Sequence, residues 1–251
     1  MMNNFIKNPY LPINEVTKII AGEGMRDFSS ELECLGISVL YAKSSENLQK
    51  PVASHTDLLC NYFGEKTFFV EKSQKELFES LNQLGANVII ENSDFLADYP
   101  NDVKLNCVRI ADSLICNKKT ISNKILQLAI ESDLKIIDVS QGYTKCSIVV
   151  ACQNAVITDD ININSELLKN GFDVLLVEKG DVLLNGYNYG FIGGCCSLIS
   201  KNKMLFIGDI KTHRNFLSIK DFLSNYKIDV LCLNSKKLID IGSFIPVFER
   251  N

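Results

Sequence analysis

The stretch Tyr143–Val177, YTKCSIVVACQNAVITDDININSELLKNGFDVLLV, predicts the structural unit from which the rest of the chain is built. Its first half is a strand pair. Cys146–Ala151 and Ala155–Thr158 are short apolar runs rich in β-branched residues, which is typical of buried strands. Gln153 and Asn154 separate the two runs, and asparagine favours a tight turn because it tolerates left-handed backbone angles.

A helix and a third strand complete the unit. Asn162 or Asn164 can cap the helix, and the Asn170-Gly171 pair ends it because glycine accepts the left-handed C-terminal cap. Phe172–Val177 is then an apolar run of strand length. The stretch is therefore predicted to form a strand–strand–helix–strand (ββαβ) module.

The same order of elements recurs along the chain. Further copies of the module are predicted over His55–Ile90, Leu105–Val139 and Val182–Leu233. Two incomplete copies stand at the ends of the sequence. The front has only a helix and a strand, over Phe28–Tyr41, and the back has only a strand pair, over Leu238–Phe248.

Together the two incomplete ends supply a fifth module. The sequence therefore predicts one α/β domain over residues 1–251. This domain is a pseudo-fivefold ring of five ββαβ modules, of the α/β-propeller type, in which the first and last elements close one shared module. An open, doubly wound sheet also repeats βαβ units. Three strands rather than one separate successive helices here, and that spacing favours the ring.

Composition excludes several classes of protein. The net charge of −4 and the lack of a long basic run predict no nucleic-acid partner. No apolar run reaches the roughly 18–20 residues of a membrane span, and the N-terminus lacks the plan of a signal peptide, so we expect a cytoplasmic protein without membrane contact. Nothing in the sequence indicates an oligomeric state.

The 9 cysteines are predicted to be reduced and mostly buried. No two of them have the C-x-x-C spacing of a zinc ribbon or a thioredoxin-type motif. Asp209 and His213 are four residues apart, but no third ligand is evident. We therefore predict neither a metal nor a cofactor.

Three short motifs carry a family resemblance: GYTKCS (142–147), GFIGG (190–194) and IDIGSFIP (239–246). They look like motifs of an uncharacterised bacterial family on the pentein fold, and the module pattern of nearly the whole chain resembles that fold. Penteins include arginine deiminase, amidinotransferases and dimethylarginine dimethylaminohydrolase, which modify guanidino groups. The resemblance implies a ligand site in the central channel, at the starts of the inner strands.

Only some of the catalytic residues of pentein hydrolases have counterparts at the matching positions of this sequence. Pentein hydrolases use a cysteine nucleophile near the C-terminus, a histidine acid/base and carboxylates that hold the guanidinium. Tyr143 occupies the place where dimethylarginine-type enzymes have their histidine, and the cysteine place falls at Gly242-Ser243. No cysteine follows Cys232. The usual Cys/His pair is therefore expected to be missing from these positions.

Four residues are candidates for catalysis. His55 and Asp57 stand at the predicted start of an inner strand, where alternation sends both to the same side, although a surface histidine is the alternative. Cys196, or its neighbour Cys195, is a candidate displaced nucleophile that acts with His55. Ser243 replaces the thiol only if a general base lies nearby. The glycines before Cys195 otherwise allow close backbone approach in a narrow ring.

The candidate ligand-binding residues are polar positions in or near apolar strands. A buried charge needs a partner, so Asn106, Arg109 and Lys145 either line the channel or form structural pairs. A positively charged channel favours a carboxylate or phosphate ligand. Asp240 either meets a cationic ligand or binds turn amides before Gly242. The remaining candidates are Tyr143 and Glu249.

Two functions follow from these observations. The first is the binding of a guanidino, amino-acid-like or anionic small molecule in the channel, including hydrolase or amidinotransferase-like chemistry. The second is a non-catalytic interaction protein, a use of this fold shown by a ribosome-binding initiation factor of archaea and eukaryotes. A formed pocket with convergent charges favours the first, and a plugged apolar axis with an exposed apolar patch favours the second.

Overall fold

The computed structural model of this chain describes residues 3–93 and 95–251. Met1, Met2 and Asp94, which belong to the domain predicted over residues 1–251, lie outside these ranges. Within the described residues, 16 strands form five separate small sheets. The predicted α/β architecture of five ββαβ modules is confirmed.

Both ends of the chain contribute to one module. Its elements are β1 (Asn3–Phe5), β2 (Val16–Gly22), α1 (Ser29–Cys34), β3 (Ser38–Ala42) and the last strand, β16 (Phe244–Arg250). β16 lies between β1 and β2 and is antiparallel to both, and β2 is parallel to β3. The first and last elements therefore share a sheet, as predicted.

The other four modules are continuous in sequence. In each, the first two strands form an antiparallel hairpin and the third strand, after the helix, lies parallel to the second. Their elements are α2 (Thr56–Leu59), β4 (Cys60–Gly64), β5 (Thr67–Glu71), α3 (Lys75–Gln83), β6 (Asn87–Glu91), β7 (Val108–Ile110), β8 (Ser113–Cys116), α4 (Asn123–Glu131), β9 (Lys135–Asp138), β10 (Ile148–Cys152), β11 (Ala155–Thr158), α5 (Ile161–Lys169), β12 (Asp173–Leu176), β13 (Cys196–Ser200), β14 (Lys203–Phe206), α6 (Phe216–Asn225) and β15 (Asp229–Cys232).

Three local predictions are wrong. Residues 238–241 do not form a hairpin with β16, because the left-handed backbone at Gly242 (φ +77°) and Ser243 (φ +60°) turns the chain away. Ile239 bridges Leu183 instead. The cap of α5 is Asp160, whose carboxylate accepts the backbone N–H groups of residues 162 and 163.

The third wrong prediction concerns His55, which does not start a strand. It caps α2, a single helical turn, and β4 begins only at Cys60. Alternation along a strand therefore does not explain where His55 and Asp57 point.

The first strand of each module faces the ring axis, and the helices lie outside. β4 contacts β7, β13 contacts both β10 and β16, and α2 also contacts β16. The helices bury one apolar stripe each, for example Leu77 and Leu81 of α3. Each such side chain contributes roughly 1.5–3 kcal/mol on burial. No helix among residues 3–93 and 95–251 has the length and apolarity needed to cross a membrane.

Candidate functional site

A cavity of about 290 Å³ opens where the segments before the inner strands meet. This volume lies near the lower end of the range for small-molecule sites. Its wall is mostly apolar and aromatic, with one carboxylate, one imidazole, one thiol and one amide. The lining side chains are Val52, His55, Leu58, Tyr143, Cys146, Leu184, Tyr187, Asn188, Tyr189, Phe191 and Asp240.

Asp240 is the carboxylate of the cavity, and it is almost completely buried. Its Oδ1 accepts the backbone N–H of Gly242 at 2.9 Å, and its Oδ2 accepts that of Phe191 at 2.9 Å. The Nδ1 atom of His55 lies 3.7 Å from Oδ1. Asp240 thus binds turn amides, one of its two predicted roles, and also faces the cavity.

Glycines make room for this carboxylate. A Cβ atom on Gly194 would lie 2.0 Å from Asp240 Oδ1, and one on Gly242 would lie 2.4 Å from the Cα of His55. Real Cβ atoms do not approach other atoms this closely, so larger residues at either position would displace the carboxylate or the imidazole. The glycine-rich GFIGG segment therefore shapes the site.

A thiol, a carboxylate and an amide are joined next to Asp240. Cys146 Sγ donates a hydrogen bond to Asp57 Oδ2 at 3.0 Å. Asn106 Nδ2 donates to the Asp57 carbonyl at 3.0 Å and to Cys146 Sγ at 3.1 Å. All three residues are buried. The hydrogen bonds of Asn106 hold Cys146 and Asp57 in fixed positions.

Burial controls the protonation of this group. Desolvation raises the pKa of Asp57, although the nearby His55 and Lys145 act in the opposite direction. Desolvation, together with the charges of Asp57 and Asp240, raises the pKa of Cys146 well above its usual value. Cys146 is therefore a protonated thiol at neutral pH, and Asp57 is a suitable acceptor for its proton.

Lys145 and Ser243 lie behind the cavity wall and do not line it. Lys145 Nζ donates to the Gly193 carbonyl at 3.0 Å and to Ser243 Oγ at 3.3 Å, and it lies 5.1 Å from the centre of the Tyr10 ring. Ser243 Oγ donates to the Cys196 carbonyl at 3.0 Å. These contacts connect neighbouring modules around the axis.

Arg109 and Glu249 lie away from the cavity. Arg109 donates to the carbonyls of Phe63 and Ala111 at 3.0 and 3.2 Å, and thereby links two hairpin ends. Glu249 Oε2 accepts the backbone N–H groups of Ile13 and Asn14 at 2.6 and 2.7 Å. Backbone groups therefore bind both charged side chains, which for Arg109 is a structural contact rather than a place in the cavity lining.

The Cys195-Cys196 pair is also outside the lining. Both thiols point to the carbonyl of Ile192, with Sγ–O distances of 3.0 and 3.6 Å. The structure therefore does not bring Cys196 together with His55 in the cavity. Cys146 is the cysteine that shares the lining with His55, although the apolar run that it begins predicted a place in the core.

Aromatic rings form one side of the cavity. The Tyr143 and Phe191 rings are stacked with centroids 5.7 Å apart, and Tyr99 contacts Tyr143 at 5.9 Å. The Tyr143 hydroxyl donates to Asp102, and the Tyr187 hydroxyl donates to Gln49 at 2.6 Å. These hydrogen bonds hold two amphipathic rings, of which Tyr143 is half-buried and Tyr187 is exposed.

Asp159 lies beneath the segment that carries Phe191. Its Oδ2 accepts the backbone N–H of Ile192 at 3.2 Å, while its Oδ1 has no partner among the described residues. Burial raises the pKa of Asp159 to about 7. No cluster of three or more His, Cys, Asp or Glu side chains within the described ranges has an arrangement suited to a metal ion.

Comparison with known proteins gives a family match and several structural relatives. Residues 19–245 match a family of unknown function, DUF6873. Comparison with curated proteins gave no match. Among solved structures, the chain is similar to an amidinotransferase of the saxitoxin biosynthetic pathway from Microseira wollei. That similarity has 12% identity, covers 97% of each chain and has a TM-score of 0.63.

Two further structures share the same fold. The inosamine-phosphate amidinotransferase StrB1 from Streptomyces griseus is 11% identical over 99% of this chain and 98% of its own, with a TM-score of 0.62. The DDAH from Pseudomonas aeruginosa is 7% identical over 87% of this chain and 93% of its own, with a TM-score of 0.55. These similarities establish the pentein fold expected from the sequence.

Proposed function

From the premise that this chain belongs to the DUF6873 family of unknown function and has the pentein fold, we propose that it binds a small molecule with a planar nitrogen cation in the cavity. The guanidino group is the chemical class that fits best. Asp240 and His55 form the polar end of the site, and the Tyr143 and Phe191 rings form its flat wall.

The buried carboxylate of Asp240 is the observation that carries this proposal. Its neighbours include two backbone amides and an imidazole 3.7 Å away, and Asp57 and Asp159 are buried nearby. A desolvated carboxylate is stabilised by a cation, and a planar fork with several N–H donors suits both of its oxygens. A cation also gains from the face of an aromatic ring.

The anionic alternative has less support. It depended on Arg109 and Lys145 pointing into the channel, and neither lines the cavity. Arg109 binds carbonyls of hairpin residues, and the Lys145 ammonium lies between Gly193 and Ser243. A carboxylate or phosphate in the cavity would therefore face Asp240 rather than a lysine or arginine.

Titration calorimetry with guanidino compounds tests the proposal. We expect simple alkylguanidines to bind, and citrulline and inorganic anions to bind at least tenfold more weakly. Asp240→Asn should abolish binding, because it replaces the carboxylate by a neutral amide of the same size. Asp221→Asn, an exposed position on α6, is the matched control and should bind like the wild type. Full binding by Asp240→Asn refutes the assignment.

Covalent C–N chemistry is a second candidate, favoured by the Cys146–Asp57 hydrogen bond at 3.0 Å beside the His55 imidazole. In this scheme the Cys146 sulfur attacks the guanidinium carbon while the thiol proton passes to Asp57. The C–N bond to the amine breaks, and the departing amine takes a proton from His55. Water or an acceptor amine then releases the amidino group from sulfur.

Intact-mass spectrometry during turnover separates binding from this chemistry. An amidino adduct that forms on the wild type, and is lost in Cys146→Ser, supports catalysis. Cys195→Ser is the matched control, because this thiol lies outside the lining and should leave the adduct unchanged. Tight binding without adduct, urea product or amidino transfer identifies a binding protein instead.

The rival function, a non-catalytic interaction module, predicts a plugged apolar axis. The cavity and its charged end support the ligand-binding proposal instead. The cysteines of the described chain are all unpaired, which fits the cytoplasmic location expected from the sequence. A reducing location is therefore part of this proposal.

A further inference from the structure

The cavity has two chemically different ends. Asp240, His55 and Cys146 form its polar end, whereas Leu184, Tyr187 and their apolar neighbours surround the remainder. If the cation of the ligand lies at Asp240, as the proposed function requires, the rest of the ligand must occupy the apolar part. The nature of that wall then determines the chemistry of the ligand tail.

No lysine or arginine lines the cavity in the described part of the chain. The nearest buried ammonium, that of Lys145, is bound by Gly193 and Ser243. Lys179 lies over the Phe191 ring at 6.0 Å, but its ammonium pairs with Asp160 at 3.8 Å. Among the described residues of the lining, His55 is the one basic side chain, and it faces Asp240.

A ligand carboxylate against this wall would exchange part of its hydration for apolar contacts and gain no cationic partner. The cost of burying an unpaired charge is large compared with that of an apolar group. Asn188 supplies one amide, which carries no charge to offset that of a carboxylate. An alkyl or aromatic tail instead gains contact with leucine, valine and tyrosine side chains.

We infer that the ligand is a guanidine, or a similar planar cation, with an uncharged and largely apolar tail, and that the site excludes free α-amino acids such as arginine. This inference rests on the proposed function and narrows it to a substrate class. It separates two groups of compounds that share the same head group and differ only in the tail.

Calorimetry with n-butylguanidine and 4-guanidinobutyrate tests the inference, because the two compounds share a head group and chain length. We expect n-butylguanidine to bind at least tenfold more tightly. Equal or tighter binding of 4-guanidinobutyrate overturns the inference while leaving the proposed function intact. If neither compound binds, the proposed function itself fails.

A substitution in the apolar wall of the cavity tests the ligand tail alone, because both compounds keep the same guanidine head group. Leu184→Lys places an ammonium in the lining. It should bring the affinity ratio of the two compounds close to one, mainly by strengthening the binding of 4-guanidinobutyrate. Leu183→Lys is the matched control, since Leu183 is 46% exposed and does not line the cavity, and it should keep the wild-type ratio. A ratio that Leu184→Lys leaves unchanged contradicts the assignment of the tail to this wall.

Discussion

Asp240 and Glu249 lie close together in the sequence, yet their surroundings differ greatly. Asp240 precedes β16, and Glu249 lies near the end of that strand. Both are buried, and both accept two backbone N–H groups. The amides at Glu249 belong to residues 13 and 14, so this carboxylate fastens the N-terminal segment to the last strand. Asp240 has an imidazole, a thiol and a cavity beside it.

The difference shows what distinguishes a structural carboxylate from a ligand-binding one. Burial and hydrogen bonding to backbone are common to both residues. Only Asp240 faces volume that the protein itself does not fill, and only there do other reactive side chains converge. Each prediction below alters one of these two regions, and they are ordered from the largest expected effect to the smallest.

The largest effect is expected from Gly194→Ala. The new Cβ would lie 2.0 Å from Asp240 Oδ1, so either the carboxylate or the backbone must move. We expect a loss of roughly 3–5 kcal/mol in the free energy of unfolding, measured by urea denaturation, together with loss of ligand binding. Gly24→Ala is the control, because its nearest contact would be an ordinary 3.4 Å from Ile241. Equal stability of the two variants would show that the packing around Asp240 is loose.

Asp159→Asn should change how stability depends on pH. The pKa of Asp159 is raised to about 7 from 3.8, so the folded protein binds this proton more tightly than the unfolded chain does. The resulting stabilisation is fully present below the unfolded pKa and disappears as the pH rises through the folded pKa. The wild type should thus lose a few kcal/mol relative to Asp159→Asn between about pH 4 and 7.

Urea denaturation at several pH values measures this difference. The exposed Asp221→Asn serves as a control with the same change of group and should follow the wild-type curve. Parallel curves of stability against pH for the wild type and Asp159→Asn would show that Asp159 does not bind a proton more tightly in the folded protein.

Glu249→Ala should separate stability from binding. Two buried amides lose their acceptor, which costs roughly 1.5–3 kcal/mol when the acceptor is charged. The affinity for a guanidine should stay within about twofold, a change of roughly 0.4 kcal/mol, because the residue does not line the cavity. Glu249→Gln keeps an acceptor oxygen and should recover part of the stability. Weakened binding in a folded Glu249→Ala protein would mean that the two regions are coupled.

The smallest effect is expected from Tyr143→Phe. The variant loses the hydrogen bond to Asp102 but keeps the ring that stacks on Phe191. We expect a loss of about 1 kcal/mol in stability and nearly unchanged affinity. Tyr143→Ala removes the ring as well and should weaken binding by at least tenfold. If both variants bind equally well, the aromatic wall is not part of the ligand site.

The modules could be predicted from the sequence because each strand and helix carries its own periodicity. The Tyr143–Val177 stretch shows this. Its first two apolar runs form β10 and β11, the segment that ends at the glycine stop forms α5, and the last apolar run forms β12. Closure of the ring followed from the incomplete ends. The pairing within the shared module was wrong in detail, because β2 rather than residues 238–241 lies beside β16.

The site was harder to predict because it lies in segments between the regular elements. His55, Asp57 and Asp240 lie before inner strands, as the sequence predicts for site residues, but His55 caps a helical turn rather than starting a strand. Cys146 was missed because it opens a run, Cys146–Ala151, that reads as a buried strand, and Phe191 because an aromatic residue beside glycines has no distinctive pattern. Their shared signal is position: these residues precede inner strands.

Arg109 and Glu249 were chosen as candidates by their charge, but neither lines the cavity. A charged residue in an apolar strand needs a partner, and the sequence cannot indicate whether that partner is a ligand or a distant backbone group. For Glu249 the partners are 235 and 236 residues away along the chain, so no local pattern reveals them.

A crystal structure with bound n-butylguanidine tests the central claim, that Asp240 recognises a cation, most directly. We expect the guanidinium at about 2.7–3.2 Å from the Asp240 carboxylate, on the face of the Tyr143 or Phe191 ring, with the butyl chain directed toward Leu184. A guanidinium bound elsewhere, or one whose alkyl end lies at Asp240, would contradict it.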